Sequence, residues 1–132
     1  MQYMLLIYLD ENALSQAQRD QCYQDSAAYG RKLSSVGKYV ASAPLYPTST
    51  ATSVRMREGK RVVTDGPFAE TREQLGGYFL INAQDLDEAI GIASQIPAGR
   101  WGTVEIRPVI EIPELNEISS VADVDLAHPR ST

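Results

Sequence analysis

The chain opens on an unbroken apolar run, Tyr3–Leu9 (YMLLIYL). A strand covered on one side only alternates apolar with polar residues. This run does not alternate, so the pattern predicts a strand at the centre of a sheet with both faces buried. Residues 15–36 then carry Cys22, Ser26, Tyr29, Leu33 and Val36 at intervals of three and four, which is one stripe of a helix. Ser15 and Gln18 have the spacing of a capping box, satisfying two N–H groups at the helix start. Gly37 is placed to end that helix. Tyr39–Ala43 reads as a strand stopped by Pro44 and Pro47.

Residues 51–64 have the pattern of a hairpin. Thr52, Val54 and Met56 alternate with Ser53, Arg55 and Arg57, and Glu58-Gly59-Lys60 supplies the turn. Val62 and Val63 continue the return strand. Tyr78–Ile81 (YFLI) is a further buried strand. Asp85 caps a second helix whose apolar face is Leu86, Ala89, Ile90, Ala93 and Ile96, ended by Pro97 and Gly99. Thr103–Val109 places Val104 and Ile106 on one face, Glu105 and Arg107 on the other.

Setting the hairpin aside, the order is βαββαβ, the ferredoxin-like arrangement, an α+β fold. Both helices then cover one sheet face and leave the other open. An apolar first strand demands a cover for that second face, and a second copy of the chain is the simplest one. The expectation is a homodimer with sheets packed face to face.

Composition narrows the chemistry. One cysteine, Cys22, and one histidine, His128, leave too few ligands for a Cys/His zinc site. A histidine-based nucleophilic mechanism would have to recruit a residue five from the chain end, whereas a catalytic base needs a packed position. No metal or cofactor is expected. The net charge of −5 is concentrated late: residues 110–132 carry −4, and the rest is near neutral. There is no basic footprint for nucleic acid beyond Arg55–Arg61. The seven-residue opening run is short of the roughly 20 residues that cross a bilayer, and it has no signal-peptide flanks. No membrane partner is expected, and the cytoplasm is the expected location.

The segment TDGPFAETREQLGGYFLINAQDLDEAIGIASQIP, followed by GTVEIRPV, closely resembles the DGPF branch of the YCII-related proteins. QYMLLIY and ATSVRMREGKRVVTDGPF are similar too. The resemblance covers roughly residues 1–109. It implies the dimeric α/β-barrel form of the ferredoxin-like fold, with residues 1–110 as the domain and 111–132 as an acidic tail. It brings no settled activity. Relatives are often encoded beside extracytoplasmic-function sigma factors. Some carry a catalytic His–Asp pair with the His in the first helix. Here Tyr29 stands near that place, and Ser42-Ala43-Pro44 replaces the Gly-Glu that often ends the next strand.

Asp65-Gly66-Pro67 is first a turn, since Asp, Gly and Pro each favour one. Its functional reading is a carboxylate at a cleft rim, with Phe68 as apolar wall, acting as general acid or base. Asp65 is therefore the candidate catalytic residue. Phe68, Glu70, Arg72, Tyr78 and Arg107 are candidate ligand-binding residues. The guanidinium groups suit an anionic or carbonyl ligand. Against this, Arg107 is the expected ion-pair partner of Glu105, and Tyr8, Tyr29 and Tyr78 are explained as core aromatics with satisfied hydroxyls. Gly76-Gly77 is too bare for a nucleotide loop and suits close approach of chains.

Two functions fit. One is a protein that binds a small anionic or aromatic molecule, extending to metal-independent acid–base catalysis by carboxylate and tyrosine. The other is a regulatory or accessory module for a protein partner, linked to such a sigma factor. The basic cluster Arg55, Arg57, Lys60 and Arg61 complements the acidic tail, so the tail of one subunit is expected on the hairpin of another.

Overall fold

The computed structural model describes residues 1–118. The elements in chain order are β1 (Gln2–Leu9), α1 (Gln16–Ser35), β2 (Tyr39–Pro44), β3 (Thr52–Arg57), β4 (Lys60–Asp65), β5 (Gln74–Asn82), α2 (Leu86–Ala93) and β6 (Gly102–Pro108). Residues 113–118 are also helical. His128 and residues 119–132 of the acidic tail lie outside the described residues.

Four strands form one antiparallel sheet in the order β2-β5-β1-β6, and β3 and β4 form a separate two-stranded sheet. Without the hairpin this is the ferredoxin-like order expected of βαββαβ. Strand β1 is central, as its sequence requires, and within one chain a single face of it is fully buried. Tyr3, Leu5, Ile7 and Leu9 are buried, whereas Gln2, Met4, Leu6 and Tyr8 are half-buried. The reason is the layer count. Both helices stand on the face of the odd-numbered residues, where Leu5, Phe79 and Ile81 meet Leu33, Ala89, Ile92 and Ile96. Among the described residues, no helix or strand layer covers the other face. Its register brings Met4 beside Leu80 and Arg107, and Leu6 beside Tyr78 and Glu105.

Both helix starts follow the sequence. Ser15 accepts from the Gln18 N–H at 3.2 Å, and the Gln18 side chain accepts from the Ser15 N–H at 2.8 Å. The Asp85 carboxylate accepts from the Glu88 N–H at 2.9 Å. The apolar faces are narrower than the periodicity implied. Val36 is the C-cap of α1 and is 63% exposed. Leu86 and Ile90 are exposed, and Ile92 takes the inward place on α2. At about 100° per residue, Ala89, Ile92 and Ala93 make the buried ridge, and Leu86 and Ile90 fall on the ridge beside it.

Close backbone approach fixes two glycines. In the β1–β5 ladder Ile7 faces Gly77 and Tyr8 faces Leu75, so Gly76 is the extra residue of a bulge. A Cβ on Gly77 would lie 2.8 Å from the Ala43 carbonyl oxygen, and one on Gly102 would run into the Tyr8 carbonyl. The Gly76-Gly77 pair thus lies inside a nine-residue strand, not at the start of a four-residue one.

The hairpin has the predicted turn, with Glu58 (φ 50°) and Gly59 (φ 75°) both left-handed. That is the two-residue geometry matching strand twist. Its side chains are almost all exposed, including Val54, Met56, Val62 and Val63.

Candidate functional site

The six residues singled out by sequence do not converge in one chain. Asp65 ends β4 and is exposed. Phe68 is 82% exposed, and Glu70 and Arg72 are exposed in the same connection. Arg107 and Tyr78 lie on the open sheet face, each opposite β1. Arg107 has Met4 across from it, and Glu105 is two residues away on the same face. Among the described residues the one ion pair is Lys38–Glu88, at 2.6 Å. The expected Arg107–Glu105 pair is not formed. Lys38 and the Gln84 N–H hold the Glu88 carboxyl below its ordinary range.

A cavity of about 190 Å³ opens instead between α1 and the sheet. Ile7, Leu9 and Phe79 form its apolar floor, with Leu14 and Ala27 from the helix side. Apolar atoms dominate the lining. Polar groups reach it at a few points, namely Ser26, Ser42, Arg19 and Glu11. This is the usual constitution of a small-molecule site, apolar with sparse polar groups. Tyr78 also borders it, with Gly76 and Gly77 on β5.

Glu11 is the polar hinge of the cavity rim. Its carboxylate accepts from the Thr48 N–H at 2.7 Å and the Thr48 hydroxyl at 2.8 Å. Its N–H donates to the Gln74 side chain at 3.0 Å, and its carbonyl accepts from the Arg19 guanidinium at 2.9 Å. One residue thereby ties the ends of β1 and β2, the start of β5 and helix α1. These bonds occupy the carboxylate and hold the rim open in one geometry.

Cys22 borders the same cavity, and burial pushes its thiol up, against the opposing charge of Arg100 and with the help of Asp25. It is therefore a protonated, weakly nucleophilic thiol at neutral pH. Tyr29 is not a stand-in base. Its hydroxyl donates to the Ile92 carbonyl at 2.7 Å, its ring packs on Phe79, and burial raises its pKa. Sequence reasoning missed Glu11 and Arg19, which lie in a loop and on a polar helix face. The signal was the Ser42-Ala43-Pro44 end of β2, whose small residues leave the space that the cavity occupies.

A second, open groove lies on the hairpin. Ser53, Arg55, Arg57, Val62 and Thr64 share one face of β3 and β4, and Pro67 and Phe68 border it.

The YCII-related domain profile matches residues 1–113. An uncharacterised protein of Rhizobium meliloti (strain 1021) is 39% identical over 114 residues, covering 83% of this chain and 92% of that protein. Among solved structures, the chain resembles 5-chloro-2-hydroxyhydroquinone dehydrochlorinase (TftG) from Burkholderia phenoliruptrix AC1100 in complex with 2,5-dihydroxybenzoquinone. The TM-score is 0.54 at 15% identity, over 86% of this chain and 98% of that one. At that identity the likeness is one of fold. No helix among the described residues is long and apolar enough to cross a membrane.

Proposed function

This chain belongs to the YCII-related domain family, and from that premise we propose that it binds a compact single-ring molecule in the cavity between α1 and the sheet. The cavity is the observation that carries the reading. An apolar cavity of about 150 Å³ accommodates benzene, so the space beside Ile7 and Phe79 suits one substituted ring. Ser26 and Arg19 line the cavity, as does Ser42, whose hydroxyl shares a 2.8 Å hydrogen bond with the Tyr39 hydroxyl, and these groups are the proposed partners of its hydroxyl, carbonyl or carboxylate substituents. A protein of the same fold holds a single-ring quinone, which supports this ligand class by analogy of fold.

The same proposal includes a homodimer formed by the open sheet faces, whose Met4, Leu6, Tyr78 and Leu80 form an apolar centre in need of a cover. Residues 1–110 are its binding domain and 111–132 an appended acidic segment. Tyr78 and Arg107 then lie in the interface. Asp65, Phe68, Glu70 and Arg72 act as ligand or acid–base residues only where a second subunit closes over them, because on one chain solvent surrounds all four.

The test is a thermal-shift screen of phenols, benzoates and quinones on the full chain. A binder raises Tm with concentration by mass action. It also slows alkylation of Cys22, and Ser26→Phe, which fills the space, abolishes both effects. A screen without a stabilising compound, or a shift unmoved by Ser26→Phe, removes the cavity from the proposal. Asp65→Ala in the same assay decides whether the hairpin loop reaches the ligand.

A further inference from the structure

Two surfaces of this chain are incomplete, and they complement each other. The first is the hairpin groove. Arg55 and Arg57 stand exposed on one face of β3, with Val62 across the ladder and Phe68 bordering the groove. The second is the segment after β6. Ile110, Ile112, Leu115 and Ile118 are 80%, 40%, 53% and 61% exposed, and Glu111, Glu114 and Glu117 are interleaved with them. Residues 113–118 are helical. Spacings of three therefore place Glu114 and Glu117 on one ridge and Leu115 and Ile118 on the adjoining ridge. An acidic ridge beside an apolar ridge matches two arginines beside Val62 and Phe68.

The topology sets which copy supplies the segment. The chain leaves the sheet for the hairpin beyond Pro44 and re-enters at Gln74, and Gln74 pairs with Leu9. The hairpin therefore hangs from the Leu9 end of β1. The C-terminal segment starts at the other end, where the Val109 N–H donates to the Gln2 carbonyl at 3.0 Å. The eight residues of β1 separate the two by about 25 Å. Three extended residues and six helical ones reach only about 20 Å from Val109. Residues 110–118 therefore fall short of the root of their own hairpin. In a two-fold dimer with sheets face to face and strands antiparallel, each segment emerges beside the other copy's hairpin, and the contact is made twice.

We propose that residues 110–118 of one subunit dock in the Arg55–Arg57–Val62–Phe68 groove of a second copy, clasping the dimer reciprocally. This rests on the face-to-face dimer proposed above and adds to it the contact that fixes strand direction and register. Opposite charges across the clasp exclude the parallel arrangement, which would set hairpin against hairpin, Arg55 and Arg57 against their own copies.

Charge exchange between two full-length variants tests it. One is E114K/E117K and the other R55E/R57E. Each alone sets like charges together at both clasps. The dimer dissociation constant, from sedimentation at low salt, is expected to rise about tenfold or more for each. An equimolar mixture restores both clasps in one heterodimer, at an affinity within about threefold of the wild type. Two variants that dimerise as the wild type does overturn the clasp and leave the sheet interface standing. Two weakened variants that do not rescue each other also overturn it. A wild type that sediments as a monomer at micromolar concentration overturns the dimer itself. Because all eight exchanged positions in a dimer are exposed on one chain, unchanged circular dichroism of each variant separates lost association from lost folding.

Discussion

Strand β1 holds Leu5 at 0% exposure, while β3 leaves Val54 at 63%. Both strands pair in an antiparallel ladder, β1 with apolar residues at every position but Gln2 and β3 with Val54 and Met56 as its apolar residues. The difference is what stands across from them. Strand β1 has a hydrogen-bonded neighbour on each side and two helices on one face. The hairpin has one ladder and, among the described residues, no layer over it. Residue type and local pairing make a strand, whereas burial is a property of the layer above it. Apolar content alone therefore says where a strand forms, and not whether it stabilises the chain it belongs to.

Substitutions sharpen the contrast in order of size. Leu5→Ala should lower unfolding free energy by about 2–5 kcal/mol in urea melts, because it leaves a cavity at a fully buried core position. A loss below about 1 kcal/mol would mean that the two-layer core is not where the stability lies. Gly102→Ala comes next, at about 1–3 kcal/mol, since its methyl group must displace the Tyr8 carbonyl and loosen the β1–β6 ladder. Val54→Ala should change the stability of dilute protein by no more than about 0.5 kcal/mol. A large effect there would show that the hairpin is covered in the free chain after all, and the comparison would collapse.

The same contrast explains what could be read in advance. Both helix caps and the hairpin turn were legible because each is set within a few residues: Ser15 with Gln18, Asp85 with Glu88, Glu58 with Gly59. Which of the two faces of β1 the chain's own helices cover was not legible, because YMLLIYL is apolar on both. Leu86 and Ile90 failed as core residues for the related reason that a short helix offers two apolar ridges and packs one. The candidate site was the least legible part. Asp65, Glu70 and Arg72 draw attention as charged residues in a conspicuous motif, yet the cavity owes its shape to small residues, Ser26, Ala27, Ser42 and Ala43. Space left by missing side chains has no polar signature in a sequence.

The hairpin ladder bears a consequence of a different kind. A two-stranded ribbon alone in water is only marginally stable, so its amide protons exchange through brief local openings that the core never shares. Strands β3 and β4 are held by one ladder and two connections, and nothing in the four-stranded sheet needs to move when they open. Their exchange rates are thus a built-in gauge of whatever covers them. Contact at the hairpin slows exchange at Arg55 and Val62, a hydrogen-bonded pair of the ladder, while leaving Leu5 and Ile81 at the rate of global unfolding, so one hydrogen-exchange experiment reads folding and encounter on separate clocks.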